Sequence, residues 1–165
     1  VKKITETFVA PCTVDAFWRA FMDARYLRAL YEGALGFKAF EVLELHETSR
    51  KLRISPKMNL PDVLAKIVGD AFAYEEHGVL DRERNEWTWR MVQPATSRLP
   101  ELIATSGVVR VVAIDGGECR RSDEITLEGK LFGLGRIIEA AAEKEARSAL
   151  TKEAPFFATW IRDNA

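Results

Sequence analysis

The sequence predicts an α+β domain, in which an antiparallel sheet of about six to seven strands curves around one long C-terminal helix. Three observations point there. Near the N-terminus the apolar residues recur at helical spacing, and the spacing then shifts to alternation. Four strand-like segments follow one another between Ala71 and Glu128 with no helical run between them, which favours antiparallel neighbours over parallel crossovers. From Arg136 to Glu153 the chain is rich in Ala, Glu, Lys and Arg, all strong helix formers. A length of 165 residues suits a single domain, 1–165, with enough core to fold without disulfides or metals.

Taken in order, Lys2 to Ala10 reads as a strand built on Ile4, Phe8 and the β-branched Thr5, Thr7 and Val9, stopped by Pro11. Thr13 offers an N-cap and Asp15 an acid in the first turn of a helix. Val14, Phe17, Trp18, Phe21 and Met22 form its apolar face. Asp23 can cap a second short helix with the face Leu27, Leu30, Tyr31, Ala34 and Leu35, ended by Gly33 and Gly36. Strands are expected at Phe37–Glu47 and Arg50–Pro56. A short helical insert near 60–68 follows, with Asn59 as cap, Pro61 in the first turn and Gly69 as its stop. Further strands are expected at Ala71–Leu80, Glu86–Gln93, Thr105–Ile114 and Cys119–Glu128. Asp115-Gly116-Gly117 gives a hairpin signal between the last two. The final helix begins after Gly133-Leu134-Gly135, and Pro155 predicts a kink or break in it at Ala154.

Composition excludes several functions. A formal net charge of -1 leaves no basic footprint for nucleic acid. Cys12 and Cys119 form no CxxC or Cys/His cluster, so no metal site is expected, and two free thiols are favoured over a long-range disulfide. There is no HExxH, P-loop, GxGxxG or Ser/His/Asp arrangement, so no cofactor is expected. His46 and His77 lie near strand ends without an evident orienting partner. Arg110 is expected in water, because charges are rarely buried unpaired. No apolar run is long enough for a membrane span, and Val1 to Thr7 lacks a signal-like apolar region. These features read as a soluble, cytoplasmic chain.

Two stretches carry a family resemblance. Phe8-Val9-Ala10-Pro11-Cys12-Thr13-Val14-Asp15-Ala16-Phe17-Trp18, continued by Phe21 and Asp23-Ala24-Arg25-Tyr26-Leu27, resembles the opening strand and helix of the START-like (SRPBCC, birch-allergen-like) superfamily. Gly133-Leu134-Gly135-Arg136-Ile137-Ile138-Glu139 resembles the start of that superfamily's long C-terminal helix. The resemblance extends over the whole chain as an order of elements and is nearest to small bacterial members. A fainter one, to PRELI-type lipid-transfer proteins, rests on Leu60 to Gly69, Tyr74-Glu75-Glu76 and Asp81. It implies the helix-grip fold and an internal apolar cavity between sheet and long helix. Some members of the superfamily are polyketide cyclases or aromatases, and others bind chaperones.

The residues locate such a cavity independently. Trp87, Trp89 and Met91 share one strand face, and Phe72 and Tyr74 share a face of the preceding strand. They are ordinary core residues or a cavity wall. The inward stripe of the last helix has Leu134, Ile137 and Ile138 at one end and Phe156, Phe157, Trp160 and Ile161 at the other. Between lie Ala141, Ala142, Ala146 and Ala149, too small to reach a sheet, so either large sheet residues fill the gap or a cavity remains. The insert, through Met58, Leu60 and Leu64, is either a packing helix or a lid over the entrance. The expected function is binding, with transport as its extension, of a hydrophobic small molecule or lipid. The alternatives are a cyclase- or aromatase-like enzyme using Tyr74, His77 or another cavity group, and a protein-interaction module.

Overall fold

The computed structural model describes residues 1–164. Strand β1 (Lys2–Ala10) leads into helices α1 (Val14–Phe21) and α2 (Ala24–Arg28). The Thr13 hydroxyl accepts from the Ala16 amide at 3.2 Å, and Asp23 Oδ1 accepts from the Arg25 amide at 2.8 Å, so both expected caps form. The second helix does not stop at α2. It loosens into a π-helical turn, Ala29–Ala34, which the Leu35 amide closes on the Leu30 carbonyl at 2.8 Å. Gly36, at φ 62°, then turns the chain into the sheet.

The remaining strands are β2 (Ala39–Leu45), β3 (Ser49–Ser55), β4 (Tyr74–Asp81), β5 (Glu86–Val92), β6 (Ile103–Ala113) and β7 (Cys119–Gly129). With β1 they make a seven-stranded antiparallel sheet of the described residues, in the order β1-β7-β6-β5-β4-β3-β2. The expected strands are all present, the first with its expected bounds and the others with ends moved by up to about three residues in either direction. The fourth begins at Tyr74 rather than Ala71, because Gly69 adopts φ 57° and leaves Phe72 ahead of the ladder. The insert is α3 (Asp62–Val68), capped by the backbone of Pro61 and not by the Asn59 side chain. Its Leu64 and Val68 are buried.

Helix α4 (Gly135–Asp163) packs on β1 and β7 and closes the concave side of the sheet, completing a helix-grip fold. It runs unbroken through Pro155, contrary to the expected break. Pro155 and Thr151 are both exposed, so the carbonyl that Pro155 cannot serve is open to water. Ile137 also departs from the expected inward stripe and is exposed, while Ile138 is buried.

The two ends of α4 are fixed differently. At the N-terminal end, Glu139 accepts from the Gly129 amide at 3.0 Å. At the C-terminal end, Phe157 is wholly buried against Phe17 and Tyr26, with ring centroids 4.8 and 5.3 Å away, and Trp160 adds a third aromatic contact with Tyr26. Between them, only Ala142, Ala146 and Leu150 approach the smaller core group of Ile4, Ile125 and Leu127.

Candidate functional site

Between the middle of α4 and the sheet lies a cavity of two chambers. The outer one, about 210 Å³, is walled by β4 to β6, α3 and α4. The inner one, about 160 Å³, reaches toward α2, the π-turn and β7. Both are bounded by Phe37, Tyr74, Glu76, Trp89, Ala146 and Ala149, so these residues form the waist between them.

Alternation along the strands selects what faces inward. On β4 it is Tyr74, Glu76, Gly78 and Leu80, and on β5 it is Trp87, Trp89 and Met91. Phe72, Tyr74, Trp89, Met91, Ala142, Ala146 and Ala149 all line the outer chamber, as do Met58, Leu60 and Leu64 from the insert. Trp87 lies deeper and borders the inner chamber alone. A shallow surface groove between Asn59-Leu60-Pro61 and α4 shares Leu60 and Ala141 with the outer chamber, which marks the mouth. There the Asn59 amide donates to Glu145 Oε1 at 3.4 Å.

The tryptophans do not fill the gap opposite the alanines. Trp89 lies over Gly107 and Trp87 over Gly78, so that a methyl group on either glycine would collide with an indole. Glycine lets each ring lie down on the sheet, and the space above stays open.

The inner chamber holds charges that the sequence reading did not place there. Arg50 Nε and Nη2 both donate to Glu76 Oε1, at 3.3 and 3.0 Å, and Nη1 donates to the Phe21 carbonyl. The guanidinium lies between the rings of Phe21 and Trp87, 4.2 and 4.6 Å from their centroids. Arg121 donates to both oxygens of Asp123, at 2.7 and 2.8 Å, and to Glu153 Oε1 at 2.7 Å. Glu153 Oε1 also accepts from the Tyr26 hydroxyl at 3.0 Å. Burial opposes the charge on Arg121, but Asp123 and Glu153 outweigh it and raise its pKa. Burial pushes Asp123 above the usual carboxylate value despite Arg121.

Tyr31, on the π-turn, stacks on Phe40 with centroids 5.1 Å apart and borders the inner chamber. Burial first, and the negative charge of Glu76 second, raise the pKa of both Tyr31 and Tyr74, so both stay neutral hydroxyls. Neither hydroxyl has a hydrogen-bond partner among the described residues. The cavity therefore combines an apolar outer wall with a deep end carrying phenols, carboxylates and pinned guanidiniums.

His77 is not part of it. It points to the outer face of the sheet, where Nε2 meets Glu75 Oε1 at 2.9 Å. Glu75 lies two residues away on the same face, a pairing that strand parity implies. His46 lies exposed at the β2–β3 turn. Arg110 is solvent-facing, between Glu86 and Glu124. Cys12 and Cys119 are both buried and unbridged. A hydrogen bond between the two thiols lowers the pKa of Cys12 and, with burial, raises that of Cys119. Among the described residues no cluster of His, Cys, Asp and Glu could hold a metal ion, and no helix is long and apolar enough to cross a membrane.

A family profile described as "Protein of unknown function (DUF2505)" matches residues 5–161. No curated protein matches the chain. Among solved structures it is similar to the Zhui aromatase/cyclase from Streptomyces sp. R1128, with a TM-score of 0.70 at 14% identity, over 97% of this chain and 95% of that one. It is also similar to norcoclaurine synthase from Thalictrum flavum, with a TM-score of 0.66 at 17% identity, over 97% and 86% of the two chains. A third is Ara h 8.0201, with a TM-score of 0.59 at 11% identity, over 96% and 98%. These neighbours are START-like (SRPBCC) folds, and the resemblance in the two sequence stretches is that of the whole architecture.

Proposed function

The chain belongs to the DUF2505 family, and on that premise we propose from its cavity that it binds an apolar small molecule or lipid and encloses it between sheet and α4. The observation that carries this reading is the outer chamber, an interior space of about 210 Å³ lined mostly by Met, Leu, Phe, Trp and Ala. Packed interiors do not leave such space by default. A ring-sized apolar body buries roughly 150–250 Å², worth about 4–6 kcal/mol before the costs of association. The ligand enters at the groove beside Leu60 and Ala141 while α3 swings away, and Met58, Leu60 and Leu64 close over it.

The test is a titration with the neutral dye Nile red, followed by displacement with apolar ligands. Wild type binds saturably at one site, and Ala146→Leu, which fills the waist, loses about tenfold or more in affinity while its melting temperature holds. Equal binding by the two proteins rejects the site.

A second reading is acid–base catalysis on an enclosed substrate, as the aromatase/cyclase neighbour suggests. The neutral phenols of Tyr31 and Tyr74 beside the Glu76 carboxylate favour it, since they offer a proton donor and an acceptor at one place. Tyr74→Phe would then abolish turnover of a polyketone substrate while Nile red still binds. Unchanged turnover excludes Tyr74 from that role.

A further inference from the structure

We propose that the cavity selects its ligand by the polar end: it takes an apolar molecule carrying a protonated amine, a hydroxyl less well, and rejects a carboxylate. The inference rests on the binding reading above and assigns the ligand's chemical class.

The charges that face the outer chamber have one sign. Two ionisable acids, Glu76 and Glu145, line the outer chamber, and among the described residues no Lys, Arg or His does. The inner chamber adds Asp123 and Glu153 against two cations, Arg50 and Arg121. Neither cation is free. Arg50 is held by Glu76, the Phe21 carbonyl and two aromatic faces, and Arg121 is held by Asp123 and Glu153. An incoming anion would meet more carboxylates than cations, and both guanidiniums already face the protein's own acceptors.

Unused acceptor capacity sits where a ligand's head would arrive. Glu76 is 8% exposed and stands at the waist. Its Oε1 takes both Arg50 bonds, and its Oε2 has no partner among the described residues. The Thr105 hydroxyl, also in the outer wall and 8% exposed, is buried without a partner. Buried polar atoms are nearly always satisfied, so the unmatched Thr105 hydroxyl points to a polar partner inside the cavity, and Glu76 Oε2 on the same wall is an acceptor that Arg50 leaves unused. An ammonium has three N–H groups and no acceptor. It can donate to Glu76 Oε2 and to a neighbouring hydroxyl while its tail fills the outer chamber.

A matched series tests this without altering the protein. 4-Phenylbutylamine, 4-phenylbutan-1-ol and 4-phenylbutanoate share one body and differ only in the head. Each is titrated at pH 7 against bound Nile red. The amine should bind tighter than the alcohol, and tighter than the carboxylate by about tenfold or more. Glu76→Gln, which keeps an acceptor for Arg50, should erase most of the amine's advantage over the alcohol. A carboxylate that binds as well as the amine overturns the proposal, as does dye binding with no displacement by any of the three. An unchanged amine preference in Glu76→Gln overturns the role of Glu76. Failure of wild type to bind Nile red at all is a different result, which rejects the cavity as a ligand site.

Discussion

Gly107 shows how much a single missing side chain decides. A Cβ there would lie 2.5 Å from Trp89 Nε1, inside van der Waals contact, so alanine must push the indole up into the waist. Overpacking of this kind costs about 1–3 kcal/mol. Gly107→Ala should therefore lower the melting temperature and weaken Nile red binding together. A substitution that costs stability but leaves binding intact would show that Trp89 does not set the cavity floor. At this scale the sequence was legible by parity. The alternation of Trp87, Trp89 and Met91 places all three inward, and that of Tyr74 places Glu76 inward as well. The rule that charges avoid interiors argues the other way for Glu76, Arg121 and Asp123. It fails here because each charge is met by a partner that arrives from far along the chain, such as Glu153 on α4 for Arg121 on β7. The glycines opposite the tryptophans were not legible, since strand register is needed to bring them together.

Among the elements, α4 is the one whose course local rules misjudge. Proline removes a donor and disfavours helix at the residue before it, which predicts an interruption at Ala154. The helix continues because Phe156, Phe157 and Trp160, just beyond the proline, are anchored on Tyr26, whereas Pro155 itself faces water. Tertiary packing outweighs the local penalty. That penalty is still present in the folded state, so Pro155→Ala should stabilise the protein by about 1–3 kcal/mol, read as a higher urea midpoint at unchanged slope. A lower midpoint would mean that the proline fits a bend on which the aromatic anchors depend. The π-turn was hidden for a related reason: Leu27, Leu30, Tyr31 and Leu35 suit an ordinary helix. The wider turn is closed by the Leu35 amide reaching back to Leu30, and it holds Tyr31 against Phe40 at the edge of the inner chamber.

For the molecule as a whole, the order of elements was readable because period and punctuation change together at nearly every boundary. The two-chambered interior was readable only in outline. The alanines of α4 mark where space is left, but the depth of that space depends on the flat tryptophans and on side chains gathered from β3, β4, β7 and α4. A helix fixed at both ends by Glu139 and Phe157, with a cavity beneath part of its middle, has one further consequence. Hydrostatic pressure favours whichever state occupies less volume, and unfolding lets water fill the voids of the native state. The empty protein should therefore unfold at markedly lower pressure than the ligand-filled one. Ala146→Leu should move the midpoint upward even with no ligand present, as followed by tryptophan fluorescence in a pressure cell. If the leucine leaves that midpoint unchanged, the space beneath α4 is already occupied in solution.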